Sequence, residues 1–226
     1  MVTTLYLIRH CEALGNINDT FQGSIDEDIT EKGAKQLEKL SERCRDFTFD
    51  VIYSSPLIRA YKTAEAANKY HGLPIITDKA FEEINGGEFE GCKWDMLPVL
   101  FPDTYGHWKN DFAHFKTKEG ESMEQVYNRI SKGAMRVVQE NKGKNILIVS
   151  HGCAIRNLCC FLLGRKLEEI GDCEWVDNTS ISRFDFDDHL RPDMVFINDC
   201  EHLKSNPELA PHQMFWRNKN SGGTKQ

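Results

Sequence analysis

The sequence predicts a three-layer α/β/α sandwich with a mostly parallel central sheet, and three observations carry the prediction. Short apolar runs rich in β-branched residues alternate with longer segments of helical period, the pattern of a parallel sheet covered by helices on both faces. Runs leading into Arg9, Tyr53-Ser-Ser and Val149-Ser-His break off into polar residues and a turn, which aims those residues at one sheet edge. At 226 residues the chain can bury a good-sized core as one domain. The expected organisation is a single domain over residues 1–217, an insertion or lid at about 92–120 and a mobile tail at 218–226.

Residues 3–8 are too few for a helix and read as a buried strand. Residues 13–29 read as a loop, with turn signals at Gly15-Asn16 and Gln22-Gly23. Thr30 is placed to cap a helix through residue 45, along which Ala34, Leu37, Leu40 and Cys44 recur at helical spacing. Residues 50–53 form the second strand, and Pro56 suits the first turn of a helix running to about residue 70. Residues 73–77 are the third strand and residues 81–91 a glycine-containing loop. The stretch 92–119 has no clean period and holds Trp94, Phe101, Tyr105, Trp108, Phe112 and Phe115. It reads as short helical turns over the sheet edge. Its aromatics are expected to form a small core of their own, with a lid over the pocket as the alternative. Ser122 caps a helix over residues 123–141 that turns Val126, Ile130, Ala134, Val137 and Val138 inward. Residues 144–149 make the most apolar strand, followed by a helix over 154–163. Residues 178–186 and 194–198 read as two strands joined by a polar turn at the sheet edge.

Composition narrows the function classes. The hydrophobic fraction of 40% and charged fraction of 28% are those of an ordinary globular protein, and no apolar run approaches the ~20 residues of a membrane span. A formal net charge of -7 argues against nucleic acid as a partner, so any anion must meet positive charge concentrated locally. The first strand begins too early for a signal peptide, and the eight cysteines show no CxxC or zinc spacing. A cytoplasmic protein with buried thiols and no membrane association is expected. Oligomeric state is not legible.

The chemistry starts at Thr4-Leu-Tyr-Leu-Ile-Arg-His-Cys-Glu12, where a buried strand ends in a guanidinium and an imidazole. If Arg9, His10, Arg59 and His151 meet at the sheet edge, two guanidiniums can hold the oxygens of a phosphate dianion. Helices starting near Pro56 and Gly152 would add the positive ends of their dipoles. There is no P-loop and no Cys-x5-Arg loop, and no carboxylate cluster suited to two metal ions. A histidine nucleophile remains, with no metal or cofactor required.

Leu-Ile-Arg-His-Cys-Glu resembles the LxRHGE signature of the histidine phosphatase superfamily, in its phosphoglycerate-mutase-like branch. The resemblance makes His10 the nucleophile, Arg9 and Arg59 phosphate-binding arginines, His151 the second histidine and Glu83 the proton donor. Asn16 matches an asparagine that touches the phosphoryl group, and Gln22, Gly23 and Gly152 complete the expected substrate-binding set. The family's fold is the expected one, and the implied activity is hydrolysis of small organic phosphomonoesters through a phosphohistidine. Cys11 stands where the family has glycine. Beside two arginines it could be an easily oxidised thiol of lowered pKa, or an inert one. A phosphoglycerate mutase is the first alternative, disfavoured because no arginine occurs between Arg59 and Arg129 to clamp a substrate carboxylate. A catalytically weak phosphate-binding or interaction module is the second.

Overall fold

The computed structural model describes residues 2–210. One six-stranded sheet runs β3-β2-β4-β1-β5-β6. Its strands are β1 (Thr3–Arg9), β2 (Val51–Ser54), β3 (Ile75–Thr77), β4 (Asn145–Ser150), β5 (Ile181–Phe186) and β6 (Pro192–Asp199). β3, β2, β4 and β1 pair in parallel, and β5 is antiparallel to both of its neighbours. The sheet is therefore mostly parallel, with the carboxyl ends of β1, β2 and β4 side by side.

Period-2 alternation divides the apolar side chains between two layers of helix. Leu5 and Leu7 of β1 and Ile146 and Ile148 of β4 face α6 (Met123–Glu140) and α7 (Gly152–Leu162). Ile8, Leu147 and Val149 face the other way, onto α2 (Glu31–Cys44) and α3 (Ile58–Asn68). Each of these side chains is at most 1% exposed, and burial of such a group contributes about 1.5–3 kcal/mol. The expected caps form as local chemistry dictates. Thr30 Oγ1 accepts from Gly33 N, and Ser122 and Gln125 make a reciprocal capping box on α6.

Three readings of local structure need correction. Residues 13–29 are not all loop: α1 (Leu14–Asn18) forms there, with Asn16 Oδ1 accepting from Ala13 N and Asp19 closing it at φ 58. Pro56 lies outside its helix, because Leu57 is extended and serves as N-cap at φ -61, ψ 133. The strand expected from residue 178 begins at Ile181, since Thr179 turns left-handed (φ 57) to donate its N–H to Arg9 O. The expected tail at 218–226 lies outside the described residues.

Within residues 92–119 the short turns are α4 (Leu97–Leu100), α5 (Pro102–Asn110) and a 3₁₀ turn at Phe112–His114. Leu97, Trp108, Phe112 and Phe115 build a third core with Phe21, Phe89 and Val126, as expected of aromatics that serve burial. Trp94 and Trp108 also line the pocket described below, so core and wall are the same residues.

Gly33 fixes the approach of α2 to the turn after β1, because a Cβ there would sit 2.2 Å from the Glu12 carbonyl oxygen. A helical glycine normally gains about 1 kcal/mol on becoming alanine, whereas overpacking against a backbone atom costs about 1–3 kcal/mol. Gly33→Ala is expected to lower the unfolding free energy in urea by about 1–3 kcal/mol. An unchanged or raised value would show that α2 does not pin this turn.

Candidate active site

A pocket of about 140 Å³ opens where β1, β2 and β4 end. Arg9, His10, Asn16, Gln22, Gly23, Arg59, Glu83 and Gly152 all line it. His151 lies directly behind, with its ring centroid 5.1 Å from that of His10. All nine expected site residues are thus brought to one place.

His10 is 3% exposed and its Nδ1 lies 2.7 Å from the Cys11 carbonyl. A carbonyl can only accept, so Nδ1 carries the proton and Nε2 is left as the unprotonated nitrogen on the pocket side. Burial, then Arg59, then Arg9 hold the imidazolium form of His10 well below its usual range. Asn178 Nδ2 donates to His10 O, which ties the β1 end to the segment before β5.

The two guanidiniums are held by loop carbonyls. Arg9 Nη1 donates to Val176 O at 2.6 Å, and Arg59 Nη1 and Nη2 donate to Ile25 O and Gly23 O at 2.7 and 2.8 Å. Arg9 Nε and Arg59 Nε are buried N–H groups with no partner among the described residues. His151 matches them: Ser55 Oγ meets its Nε2 at 2.8 Å, while its buried Nδ1 has no partner among the described residues. Gly152 leaves the space Arg9 needs, since a Cβ there would lie 3.3 Å from Arg9 Cζ and Nε.

Glu83 sits at the start of α7. Its carboxylate accepts Cys153 N at 3.0 Å, Ala154 N at 2.9 Å and its neighbour Ile84 N at 3.0 Å. Arg129 on α6 gathers the segment that presents it: Nη1 donates to Ala80 O and Glu82 O, and Nη2 donates to Glu83 O and to Glu121.

Two expectations about helix ends are corrected here. The first free N–H groups of α7 point at Glu83, so this dipole acts on a carboxylate of the protein. The α3 terminus is likewise occupied, by Asp26 Oδ1 at 2.6 Å from Ile58 N. The oxidisable reading of Cys11 is also overturned. Its thiol is 0% exposed among Leu37, Leu40 and Ala60, and burial pushes it up to about 12. It points into the core beneath α2, away from the arginines, which is how a side chain replaces glycine without narrowing the pocket.

Ser55, Arg129 and the 176–178 segment were not legible as site residues. Ser55 stood in view beside Pro56, but nothing local marks a serine as a histidine's partner. Val176 contributes only a carbonyl, which leaves no signal in sequence.

The profile of the histidine phosphatase superfamily (branch 1) matches residues 5–199, and the chain belongs to that family. Phosphoserine phosphatase 1 of Hydrogenobacter thermophilus is 32% identical over 178 residues, covering 79% of this chain and 84% of that protein. Bacillus stearothermophilus YhfR superposes with a TM-score of 0.84 at 28% identity, over 89% of this chain and 100% of that one. A phosphoserine phosphatase variant of Entamoeba histolytica, solved with phosphoserine, gives 0.79 at 27% identity over 89% and 99%. The chain is a phosphatase that hydrolyses phosphomonoesters.

The buried histidines make stability depend on pH. His10 and His151 are held below their usual range and His202 at about 4, all chiefly by burial. Below about 6.5 the unfolded chain binds protons that the folded chain refuses, so stability falls with falling pH. Urea unfolding at pH 7.5 and 5.5 is expected to show a lower free energy at 5.5, and a smaller difference in His151→Asn. A free energy that is flat or rises toward pH 5.5 would contradict the buried neutral state.

Proposed function

We propose that the chain, working as a single domain on small cytoplasmic phosphomonoesters, transfers the phosphoryl group to His10 and then to water. The observation that carries the reading is the set of buried nitrogens without a partner among the described residues on Arg9, Arg59 and His151, the last bearing its proton on Nδ1 when Ser55 Oγ donates to Nε2, around one imidazole held neutral. A buried unsatisfied donor costs about 1–3 kcal/mol, and three in one place are accounted for if a tetrahedral anion supplies their acceptors. Coulomb attraction adds about 4 kcal/mol per charge pair at 4 Å with an effective dielectric of about 20.

His10 Nε2 attacks phosphorus in line while the ester oxygen leaves. Arg9, Arg59 and His151 take up charge on the equatorial oxygens, and Asn16, with Oδ1 already engaged, offers Nδ2. Glu83 protonates the departing alkoxide. It then removes a proton from the water that attacks the phosphohistidine, and free phosphate and neutral His10 are regenerated. Gln22, Gly23 and Gly152 shape the site: Gly23 at φ 51 offers its carbonyl to Arg59, and Gln22 is steadied by Glu27. The arginines supply the charge that a divalent ion supplies elsewhere, so no metal is needed. The eight free cysteines suit a reducing compartment. The mutase reading is disfavoured by the absence of arginine from residues 60–128, which include the insertion.

Turnover of p-nitrophenyl phosphate is expected to survive EDTA. Rapid quenching is expected to trap a phosphoenzyme that is labile to acid and stable to alkali, and that is absent in His10→Ala. An acid-stable label, a label in that variant, or activity that returns only with a divalent cation would overturn the mechanism.

Glu83→Gln is expected to cost about 10² to 10⁴ in turnover of an alkyl phosphate, whose alkoxide leaves poorly without a proton. The burst with p-nitrophenyl phosphate should be much less affected, while the steady rate slows because the same residue acts as base. Equal losses in the first step for both esters would reduce Glu83 to a positioning role.

A further inference from the structure

Resting on the phosphatase reading of this pocket, we infer that its leaving-group side selects alcohols that carry an aromatic or apolar group and no carboxylate, with Asp19 as the residue that excludes the negative charge.

The phosphate end of the pocket holds Arg9, His10, Arg59 and Glu83. Away from it the lining is aromatic: Phe21, Trp94, Trp108 and Trp175. Three of the chain's four tryptophans are therefore in this one wall. They form a continuous surface, with Phe21 5.1 Å from both Trp94 and Trp108, and Trp108 6.2 Å from Trp175. Phe21 and Trp108 belong to the third core and Trp94 and Trp175 pack against it, so the wall is present before substrate arrives.

Beyond the phosphate-facing groups, the ionisable lining residues are Asp19 and the buried thiol Cys153. Asp19 is held by its backbone: it caps α1 in a left-handed conformation, and its carbonyl accepts Trp94 N at 3.1 Å. Its carboxylate makes no hydrogen bond or ion pair to a described residue, and the nearby ammonium of Lys93 is engaged by Asn18 O at 2.6 Å. A second carboxylate on the substrate would meet this charge and find no cation among the described lining residues beyond those that take the phosphate. Selectivity of this kind comes from a repulsive element as much as from an attractive one. An aromatic ring instead meets edges and faces of the tryptophans, the geometry in which ring pairs attract.

The test uses three alkyl phosphates with poorly departing alkoxides, so that the group carried on the alcohol is the main variable: benzyl phosphate, propyl phosphate and 2-phosphoglycolate. In the wild-type protein kcat/KM is expected to be about tenfold higher for benzyl than for propyl phosphate, the scale of one good aromatic contact. It is expected to be about tenfold or more lower again for 2-phosphoglycolate. Asp19→Asn, a change small enough to preserve folding, is expected to shrink the propyl-to-phosphoglycolate ratio by about threefold or more. Phosphoglycolate turned over as well as propyl phosphate, or a ratio unmoved in Asp19→Asn, would overturn the inference. Failure on p-nitrophenyl phosphate would instead overturn the phosphatase reading. Selectivity is then decided by calorimetric binding of benzylphosphonate against phosphonoacetate, where equal or inverted affinities contradict the aromatic wall as a selector.

Discussion

Two guanidiniums buried beside each other at the ends of β1 and α3 are the constraint on which the rest of the site depends. Arg59 is 0% exposed and Arg9 lies in its field, so each raises the cost of keeping the other charged. Burial of a charge is tolerated only where hydrogen bonds and opposite charge offset the lost hydration. The carbonyls of Gly23, Ile25 and Val176 supply part of that offset, and the Glu83 carboxylate is the opposite charge that acts most strongly on both arginines. The loop before α2 and the segment before β5 are accordingly shaped as acceptors for two side chains. What they leave unsatisfied among the described residues is the Nε–H of each guanidinium.

The same constraint sets the state of the imidazole proposed as the nucleophile. A buried histidine between two fixed cations cannot easily accept a second proton, so His10 stays neutral without a carboxylate to orient it. A backbone carbonyl, that of Cys11, fixes the tautomer instead. This requires the chain to turn sharply after β1, and the close approach of Gly33 to Glu12 O and the tie from Asn178 to His10 O hold that turn. Position is thus inherited from packing layers that never touch substrate.

Much of this was legible in sequence because its causes are local. A run such as residues 145–150 can only be a buried strand, and Thr30 and Ser122 cap helices through bonds to residues three positions on. Six of the nine expected site residues, Arg9, His10, Arg59, Glu83, His151 and Gly152, could be named because four short motifs place them directly after a strand or at a turn, and Asn16, Gln22 and Gly23 came from the turn signals and the resemblance in residues 13–29. What failed were inferences from sequence neighbourhood to spatial neighbourhood. Cys11 is two residues from Arg9 yet packs beneath α2, because β1 ends at Arg9 and the strand alternation that would put residues 9 and 11 on one face stops there. The free ends of α3 and α7 invited an anion, but Asp26 and Glu83 fill them from 32 and about 70 residues away. Ser55, Arg129 and the Val176 carbonyl act through partners equally remote in the chain.

The account's central claim is that the site is a preformed anion cradle whose affinity resides in Arg9, Arg59 and His151, separate from the nucleophile. Calorimetric titration of inorganic phosphate into the wild-type protein, His10→Ala and Arg9→Gln at low ionic strength tests it most directly. The account predicts that His10→Ala binds phosphate within a few-fold of wild type, while Arg9→Gln loses about tenfold or more, the scale of a charge-assisted hydrogen bond. Loss of phosphate binding in His10→Ala with binding intact in Arg9→Gln would contradict it.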